Sequence, residues 1–295
     1  MKAILFCLCA FSFVCCEAVY KRWLLDTNFE NPQNWNVKRA PCGNDVVILP
    51  DDSPVVYMQM NTTIKELVLP STGELILGNS VSLGFTASPS SGCPDAKGDV
   101  EFTAVHPGPW MNPKDWCATS TERGTCDKSP RLEVENVPCR YDDVIFPRNR
   151  AYFVDLSELD SNTTVKSLKL IGSSLTTASF ASFVNSSDGQ RMFRRGKTAG
   201  PVLQISRQAC DDQGGCACGN DRPEITKKIC AYVNKNCARP RCSNSILPTG
   251  MCCRSCGASL KITKGYGFVL DEFKSILKKE FFNDTVSSKS DSQVG

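Results

Sequence analysis

The chain has 295 residues, of which 41% are hydrophobic and 22% are charged, and its formal net charge is +3. This small positive excess, with no lysine- or arginine-rich face, argues against nucleic acid as a partner. Beyond residue 18 no stretch of the sequence is apolar enough to cross a bilayer. The chain has eighteen cysteines but a single histidine, so cysteine chemistry dominates the analysis.

Residues 1–18 are predicted to be a secretory signal peptide. Lys2 supplies the positive start, Ala3–Val14 is an apolar run too short to span a bilayer, and Ala18 offers a small residue at the cleavage site. We expect the mature chain to begin near Val19 and to enter the secretory pathway. Four of the eighteen cysteines precede Val19, which leaves fourteen.

The front two-thirds of the chain contains an internal repeat. Residues 41–50 read PCGNDVVILP and residues 138–147 read PCRYDDVIFP. Upstream, NPQNW at 31–35 corresponds to NPKDW at 112–116, and further downstream NTTIKEL corresponds to NTTVKSL. The repeat indicates one β-unit built twice, with no catalytic group in the repeated segments and with structural roles for Trp35 and Trp116.

Short runs of β-branched and aliphatic residues alternate with turn residues through both copies. The predicted strands lie within Asp45–Pro50, Val55–Met60, Ile64–Leu69, Glu74–Leu77, Asp143–Phe146, Ala151–Leu156, Val165–Ile171 and Ser179–Val184. Many short strands with regular turns are typical of sandwiches, barrels and β-solenoids. We favour a solenoid, because stacked rungs need neighbours to bury their apolar faces.

The predicted fold class is mainly β. Two consecutive β-helix or solenoid-like units arise from the internal duplication, and a small disulfide-rich module and a C-terminal amphipathic helix follow. The segments are residues 1–18 for the signal peptide, 19–107 and 108–208 for the two units, 209–257 for the cysteine-rich module, and 258–295 for the helix and a disordered tail.

The second copy carries an insert with its own cysteine pair. Trp35 and Cys42 are 7 positions apart, whereas Trp116 and Cys139 are 23 apart, a difference of 16 residues. The insert contains Cys117 and Cys126. Two extra cysteines inside one extra loop predict a bridge between them.

The tail from Cys210 to Cys256 has the spacing C-x5-C-x-C-x11-C-x6-C-x4-C-x9-CC-x2-C. In a secreted chain this density predicts disulfides, although CCxxC and CxC also resemble zinc ligands. The predicted disulfide cysteines are Cys42, Cys93, Cys117, Cys126, Cys139, Cys210, Cys216, Cys218, Cys230, Cys237, Cys242, Cys252, Cys253 and Cys256.

Parity predicts a bridge between the front region and the tail. The front region holds five mature cysteines and the tail holds nine, so complete pairing requires at least one bridge between them. Cys42 and Cys139 are equivalent positions in different copies, which makes them poor partners for each other. Our hypothesis is that Cys42 pairs with Cys93, and that Cys139 pairs with Cys216 or Cys218.

Enzymatic chemistry is one alternative, because many β-solenoids cleave polysaccharides with placed carboxylates. The acidic pairs Asp51-Asp52, Asp142-Asp143 and Asp211-Asp212 each adjoin a proline, a strand start or a cysteine turn, and His106 lies in a His-Pro-Gly-Pro turn. We therefore predict no catalytic residue, no metal site and no cofactor.

Three further features concern the surface and the end of the chain. Asn-x-Ser/Thr motifs predict exposed glycosylation sites at Asn61, Asn162, Asn185 and Asn283. The basic stretch 191–197 is interpreted as a solvated loop, with a processing site as the alternative. Apolar residues from Val269 to Phe281 recur at helical spacing and predict an amphipathic helix of about four turns.

Taken in order, several motifs resemble the amnionless family. They are KRWLLDTNFENPQNWNVKRAPCGNDVVILP at 21–50, VPCRYDDVIFP at 137–147, GGCACGN at 214–220 and CCRSCGA at 252–258. The resemblance extends from about Val19 to the helix near Phe282. The tail separately resembles a von Willebrand factor type C module, with nine cysteines where that module usually has ten.

The resemblance implies a non-enzymatic ectodomain that binds the N-terminal region of cubilin, a large extracellular receptor. It further implies support for cubilin's apical targeting and for receptor-mediated endocytosis of intrinsic factor–cobalamin and other proteins. The alternative is a secreted type C modulator that binds bone morphogenetic protein-like growth factors.

The resemblance also bears on location. Family members continue into a transmembrane helix and a cytoplasmic tail with Phe-x-Asn-Pro-x-Phe signals, which this sequence lacks. We expect a truncated product, a soluble isoform or a partial gene model. A full-length form with a transmembrane segment would lie at the extracellular face of the apical membrane and in endosomes, and otherwise the chain would be secreted.

Overall fold

The structure, a computed structural model, confirms a mainly β protein with a few helices and a disulfide-rich region. It describes residues 15–16, 20–88, 91–95, 98–129, 131–160, 162–196, 203–259, 262–277 and 279–280. The helices are α1 (Glu133–Asn136), α2 (Thr177–Asn185), α3 (Ser187–Met192), α4 (Pro223–Ala231) and α5 (Leu270–Leu277). Short 3-10 helices span Pro32–Asn34, Pro113–Asp115 and Asn234–Asn236.

The strands are short throughout. In chain order they are β1 (Cys15–Cys16), β2 (Tyr20–Trp23), β3 (Val46–Ile48), β4 (Val55–Met58), β5 (Thr62–Ile64), β6 (Glu66–Val68), β7 (Glu74–Leu77), β8 (Leu83–Phe85), β9 (Val100–Glu101), β10 (Gly108–Pro109), β11 (Trp116–Thr119), β12 (Asp143–Phe146), β13 (Val154–Asp155), β14 (Thr164–Val165), β15 (Ser167–Leu170), β16 (Ser173–Leu175), β17 (Phe193–Arg194), β18 (Gln204–Ile205) and β19 (Cys216–Ala217). The predicted strands Glu74–Leu77 and Asp143–Phe146 have the observed bounds.

In the first copy, three consecutive strands pair in parallel with the three that follow them. β3 pairs with β6, β4 with β7 and β5 with β8. Val46 lies opposite Glu66, Val55 opposite Glu74 and Thr62 opposite Leu83, so partners are 19 to 21 positions apart. On its other side β3 pairs in parallel with β9.

The NPxxW motif builds the same aromatic anchor in both copies. The indole Nε1 of Trp35 donates to the Phe29 carbonyl at 2.7 Å, and that of Trp116 donates to the Trp110 carbonyl at 2.8 Å. Each indole lies edge-on to the ring of the residue whose carbonyl it binds, at 5.0 Å and 4.8 Å between centroids. Both tryptophans are buried, which agrees with a structural role.

The PCxxD motif is likewise a repeated turn. The Asp45 carboxylate accepts from the Cys42 amide at 2.8 Å, and the Asp142 carboxylate accepts from the Cys139 amide at 2.9 Å. The carbonyls of the same aspartates accept from the amides of Lys65 and Lys166, respectively. The aspartate thus fixes the turn that starts the strand, which explains why both copies need an acid there.

The second copy incorporates a strand from the start of the chain. β2 lies between β11, to which it is antiparallel, and β12, to which it is parallel. Trp23 of β2 then packs against Trp116 and Phe146 in the larger core. A strand that precedes the first copy in the sequence is thus part of the sheet of the second copy.

The prediction of a strand at Ser179–Val184 is wrong, because these residues lie within α2. The Thr176 hydroxyl accepts from the Ser179 amide, and the Ser179 hydroxyl accepts from the Thr176 amide, which forms a capping box. Phe180 and Val184, four positions apart, both face the core. Helical spacing, and not alternation, therefore determines which side chains are buried here.

The interpretation of 191–197 as a solvated loop is also wrong over its described part. Arg191 belongs to α3, and β17 pairs in parallel with β13. Phe193 is buried between Phe146 and Phe180, and its aromatic contacts hold this basic segment against the second core. Lys197 lies outside the described residues.

The cysteine-rich tail packs on the second copy. Ile225 and Ile229 of α4 enter the larger core. The Asn220 amide donates to the carbonyls of Val134 and Val137 at 3.1 and 2.9 Å, and the Val134 amide donates to the Gly250 carbonyl. Apolar burial therefore supplements the disulfides in holding the tail.

The predicted C-terminal helix is described as α5, over Leu270–Leu277. Leu270 is buried, and its amide donates to the Gln213 carbonyl at 3.0 Å. Residue 278, Phe281 and the predicted disordered tail lie outside the described residues.

Candidate docking surface

Three neighbouring strands of the first copy each expose one unpaired edge. β6, β7 and β8 pair on one side with β3, β4 and β5, and none has a strand on its other side within the described residues. Unpaired N–H and C=O groups in a row are a template for pairing with another chain. The same end of the first copy therefore presents three adjoining edges.

Exposed apolar side chains accompany these edges. They are between 42% and 61% exposed and comprise Val68, Leu69, Ile76, Leu77 and Phe85. Single exposed apolar residues are ordinary on a protein surface, but a group on three adjacent strands is typical of an interaction site.

The first core is incompletely covered at this end. Leu67 of β6, Leu75 of β7 and Leu83 of β8 pack against the buried cluster around Trp35 but remain partly exposed. Ile64, one strand layer further in, is fully buried. Covering the open end would thus complete the burial of a core that already exists.

Asn61 lies at the rim of this surface. Its side-chain oxygen accepts from the Ser82 amide at 2.9 Å, beside the start of β8. Asn61, Asn162 and Asn185 are exposed, as their glycosylation requires, although Asn185 ends α2 and is not in a loop. Asn283 lies outside the described residues.

The bridges of the front region are those suggested by spacing and parity. The structure joins Cys42 to Cys93, Cys117 to Cys126, and Cys139 to Cys218. Cys139 thereby connects the second copy to the tail, and of the two partners left open for it the structure selects Cys218.

The remaining tail cysteines pair among themselves. The bridges are Cys210–Cys216, Cys230–Cys252, Cys237–Cys253 and Cys242–Cys256. Eight of the nine tail cysteines are thus used locally, and the ninth forms the crossing bridge. The fourteen cysteines predicted to pair are all bonded in the structure.

Two cysteine–aspartate groups have the proximity of metal ligands but the wrong chemistry. Ligand atoms of Cys42, Asp45 and Cys93 lie within 4.8 Å of one another, and those of the equivalent Cys139, Asp142 and Cys218 do likewise. In both groups the two sulfurs form a disulfide, so neither offers the thiolate that zinc requires.

Asp45 instead forms a buried ion pair. Arg39 Nη1 and Nη2 donate to its two carboxylate oxygens at 2.6 and 2.7 Å. Because Arg39 donates to the Asp45 carboxylate, the pKa of Arg39 lies above its ordinary value. This carboxylate is wholly engaged in holding the first PCxxD turn.

In each of the three acidic pairs at least one aspartate has a structural partner. Asp143 bonds to Lys166 and Ser167, Asp51 to Ser71, and Asp212 to Lys264. Hydrogen bonds from Ser71 lower the pKa of Asp51, and one from Lys264 lowers that of Asp212. Asp143 thereby ties the start of β12 to β15, and Asp51 and Asp212 hold loops.

The open edges could not be located from the sequence. A strand with an unpaired side has the same alternating pattern as one with two partners, and only the fold shows which sides stay empty. The sequence offered one signal. Residues 66–85 contain more apolar residues than a pair of strands with a single buried face needs.

Comparison with known proteins identifies the family. The amnionless family matches residues 20–294. The chain is 30% identical to protein amnionless of Canis lupus familiaris over 274 residues and 30% identical to that of Homo sapiens over 273 residues, each match covering 90% of the chain. It is 24% identical to protein amnionless of Drosophila melanogaster over 234 residues, which cover 79% of the chain.

The chain spans only part of these relatives. The matches cover 57% of the dog protein, 58% of the human protein and 44% of the fruit-fly protein. Across the residues that the structure describes, the helices are too short or too polar to cross a bilayer. Since the family match covers nearly the whole chain, this protein belongs to the amnionless family.

Proposed function

We propose that this chain is a non-enzymatic extracellular docking protein that binds the N-terminal region of cubilin. By this binding it supports cubilin's apical targeting and the receptor-mediated endocytosis of intrinsic factor–cobalamin and other proteins. The observation that carries the proposal is the open end of the first copy, where three unpaired strand edges and a partly covered core coincide.

The proposed fold behind this surface is a short β-solenoid in each copy. Parallel partners 19 to 21 positions apart in the first copy are the spacing expected when one coil stacks on the previous one. The proposed units are 19–107 and 108–208, with β2 as a strand that the first contributes to the second. On this view β6, β7 and β8 form the terminal coil of the first unit.

A terminal coil is suited to strand addition. A partner that continues the stack would satisfy the free N–H and C=O groups of β6–β8 and cover Ile76, Leu77 and Phe85. Main-chain hydrogen bonds would supply affinity, and the apolar side chains would supply specificity. An Asn61 glycan would stand beside this surface and restrict the direction from which a partner approaches.

The tail is proposed to be a von Willebrand factor type C-like module that stabilises the second unit. Its local bridges leave Cys218 for Cys139, which supports an anchored module over a free growth-factor-binding one. We propose that the protein lies in the secretory pathway. In forms with a transmembrane segment it would occupy the extracellular face of the apical membrane and endosomes, and otherwise it would be secreted.

Co-precipitation tests the function. The secreted chain, residues 19–295, should retain the N-terminal segment of cubilin and should not retain bone morphogenetic proteins. Circular dichroism and non-reducing electrophoresis confirm that the chain is folded and oxidised. Failure of the folded chain to retain cubilin would defeat the proposal, and retention of the growth factor alone would establish the alternative.

A further inference from the structure

The second copy contains a cationic cleft that the docking surface does not involve. Arg22 of β2, Ile145 of β12 and Lys169 of β15 lie opposite one another across three neighbouring strands. With Arg123 and Arg148 they line a cleft of about 520 Å³. This volume falls within the usual range for ligand pockets.

The lining of the cleft is strongly positive. It contains one carboxylate, Glu122, and the five cationic side chains Arg22, Arg123, Arg148, Arg150 and Lys169. This local excess of four positive charges is larger than the net charge of +3 on the whole chain. Such a concentration in a recess attracts anions and focuses the field on them.

Within the described part of the chain, two of the five cations form close ion pairs and three do not. Lys169 pairs with Glu122 at 2.5 Å, and Arg150 lies 3.4 Å from Asp26. Arg22 donates to the carbonyls of Glu122 and Gly124 at 3.1 and 2.6 Å. Among the described residues no close ion pair joins Arg22, Arg123 or Arg148 to a carboxylate. Arg123 and Arg148 share Glu122 as a nearby negative charge, so cationic side chains outnumber carboxylates in the cleft.

The insert of the second copy forms one wall of this cleft. Its loop is closed by Cys117–Cys126, and Cys117 lies opposite Arg22 in the sheet. This places Glu122 and Arg123 over the cleft. The first copy lacks the insert and therefore lacks an equivalent wall.

We propose that the cleft binds a short acidic peptide segment of a protein partner, with two or more carboxylates on the guanidiniums of Arg22, Arg123 and Arg148. A guanidinium presents paired N–H donors that match the two oxygens of a carboxylate. Glu122 shows that a carboxylate is accommodated here: its hydrogen bond with Lys169, with Arg123 and Arg148 nearby, lowers the pKa of Glu122.

The adjoining surface limits the length of the acidic run. A second hollow of about 430 Å³ shares Arg148 and Arg150 with the cleft but is also lined by Asp26 and Glu30. A long polyanion such as a sulfated polysaccharide would meet these carboxylates on leaving the cleft. A short acidic run followed by amide or basic residues matches both hollows. A peptide can have such a sequence, so a peptide is favoured over a sulfated polysaccharide.

Fluorescence anisotropy with a labelled hexaglutamate peptide tests the proposal on the secreted, oxidised chain. The wild type should bind, and Arg123→Glu/Arg148→Glu should weaken binding by about tenfold or more, because charged hydrogen bonds are lost. Arg241→Glu, which reverses an exposed arginine of the tail, is the matched control and should change binding by less than about twofold. Salt of about 0.5 M should weaken wild-type binding.

A second measurement needs no variant. Phenylglyoxal modifies accessible arginines, and mass spectrometry locates the adducts. Hexaglutamate should protect Arg123 and Arg148 but not Arg241. The proposal is overturned if the folded wild type does not bind hexaglutamate, if protection is equal at all three arginines, or if a heparin hexasaccharide binds while hexaglutamate does not. Retention of cubilin by the same preparation shows that the chain is competent, so this failure is distinct from failure of the docking proposal.

Discussion

Cys139 and Cys218 form a disulfide that joins the first turn of the second copy to the cysteine-rich tail, 79 positions further along the chain. The bridge lies beside Asp142, which holds the turn, and close to the contacts of Asn220 with α1 and the residue after it. The tail is therefore held to the β-region by a covalent bond, hydrogen bonds and apolar packing at one place.

Removing this bridge should cost more stability than removing the bridge of the insert. In the chain-entropy model the closed loop of 79 positions gives about 4.5 kcal/mol and the loop of 9 positions gives about 2.5 kcal/mol. Urea unfolding measures the free energy that is lost with each bridge, in the double variants Cys139→Ser/Cys218→Ser and Cys117→Ser/Cys126→Ser. A larger loss for the insert pair would contradict the assigned role of the crossing bridge.

Loss of the Arg39 side chain should destabilise the first copy. Arg39→Met leaves the Asp45 carboxylate, which is fully buried, without its counter-charge. Breaking a buried pair by removing one partner costs about 3 kcal/mol or more. Arg140→Met, at an exposed site in the equivalent turn of the second copy, is the control and should stay within about 0.5 kcal/mol in urea unfolding.

Asp115 should make the protein less stable as the pH rises. Burial raises its pKa to about 6, and its Oδ2 has no hydrogen-bond partner among the described residues. Between pH 4 and pH 7 the unfolded chain loses this proton more readily than the folded chain does, so the free energy of unfolding falls by about 2 kcal/mol.

Asp115→Asn supplies the control for this pH effect. The equivalent residue of the first copy is Asn34, whose amide donates to the Asn28 carbonyl at 2.9 Å. The variant should remove the decrease between pH 4 and pH 7 and should exceed the wild type in stability at pH 7. Parallel pH profiles of the two proteins would show that Asp115 is not the titrating group.

The capping box of α2 should contribute measurably to stability. Thr176→Ala removes the acceptor for the Ser179 amide and should cost about 1 kcal/mol. Ser174→Ala is the matched control, because it removes a hydroxyl from an exposed residue of β16 that caps no helix. Equal stability of the two variants in urea would contradict the helix over 177–185.

Local patterns in the sequence predicted the elements whose own residues carry the signal. Glu74–Leu77 and Asp143–Phe146 were predicted correctly because turn residues bound them and their own residues carry the strand pattern. At 179–184 the short window hid the helical spacing of Phe180 and Val184, and the capping box of Thr176 with Ser179 lacks the Glu or Gln by which a sequence usually reveals one.

Long-range relationships were beyond sequence reasoning. The pairing of β2 with β11 and β12 brings together residues about a hundred positions apart, and no local pattern encodes it. The cationic cleft has the same origin, because Arg22, Arg123 and Arg148 meet only through that pairing. Cysteine parity succeeded because it is a count over the whole chain and needs no geometry.

Binding of cubilin's N-terminal segment to edge variants provides the decisive measurement. Ile76→Lys/Phe85→Asp places charges on the exposed apolar residues of β7 and β8, and charges are how natural proteins block strand addition at an edge. Surface plasmon resonance should show at least about a hundredfold loss of affinity, given roughly 1.5 kcal/mol for each apolar contact removed. Leu247→Asp, a control at an exposed apolar residue of the tail, should bind as the wild type does. Wild-type affinity in the folded edge variant, or an equal loss in the tail control, would contradict docking at the open end of the first copy.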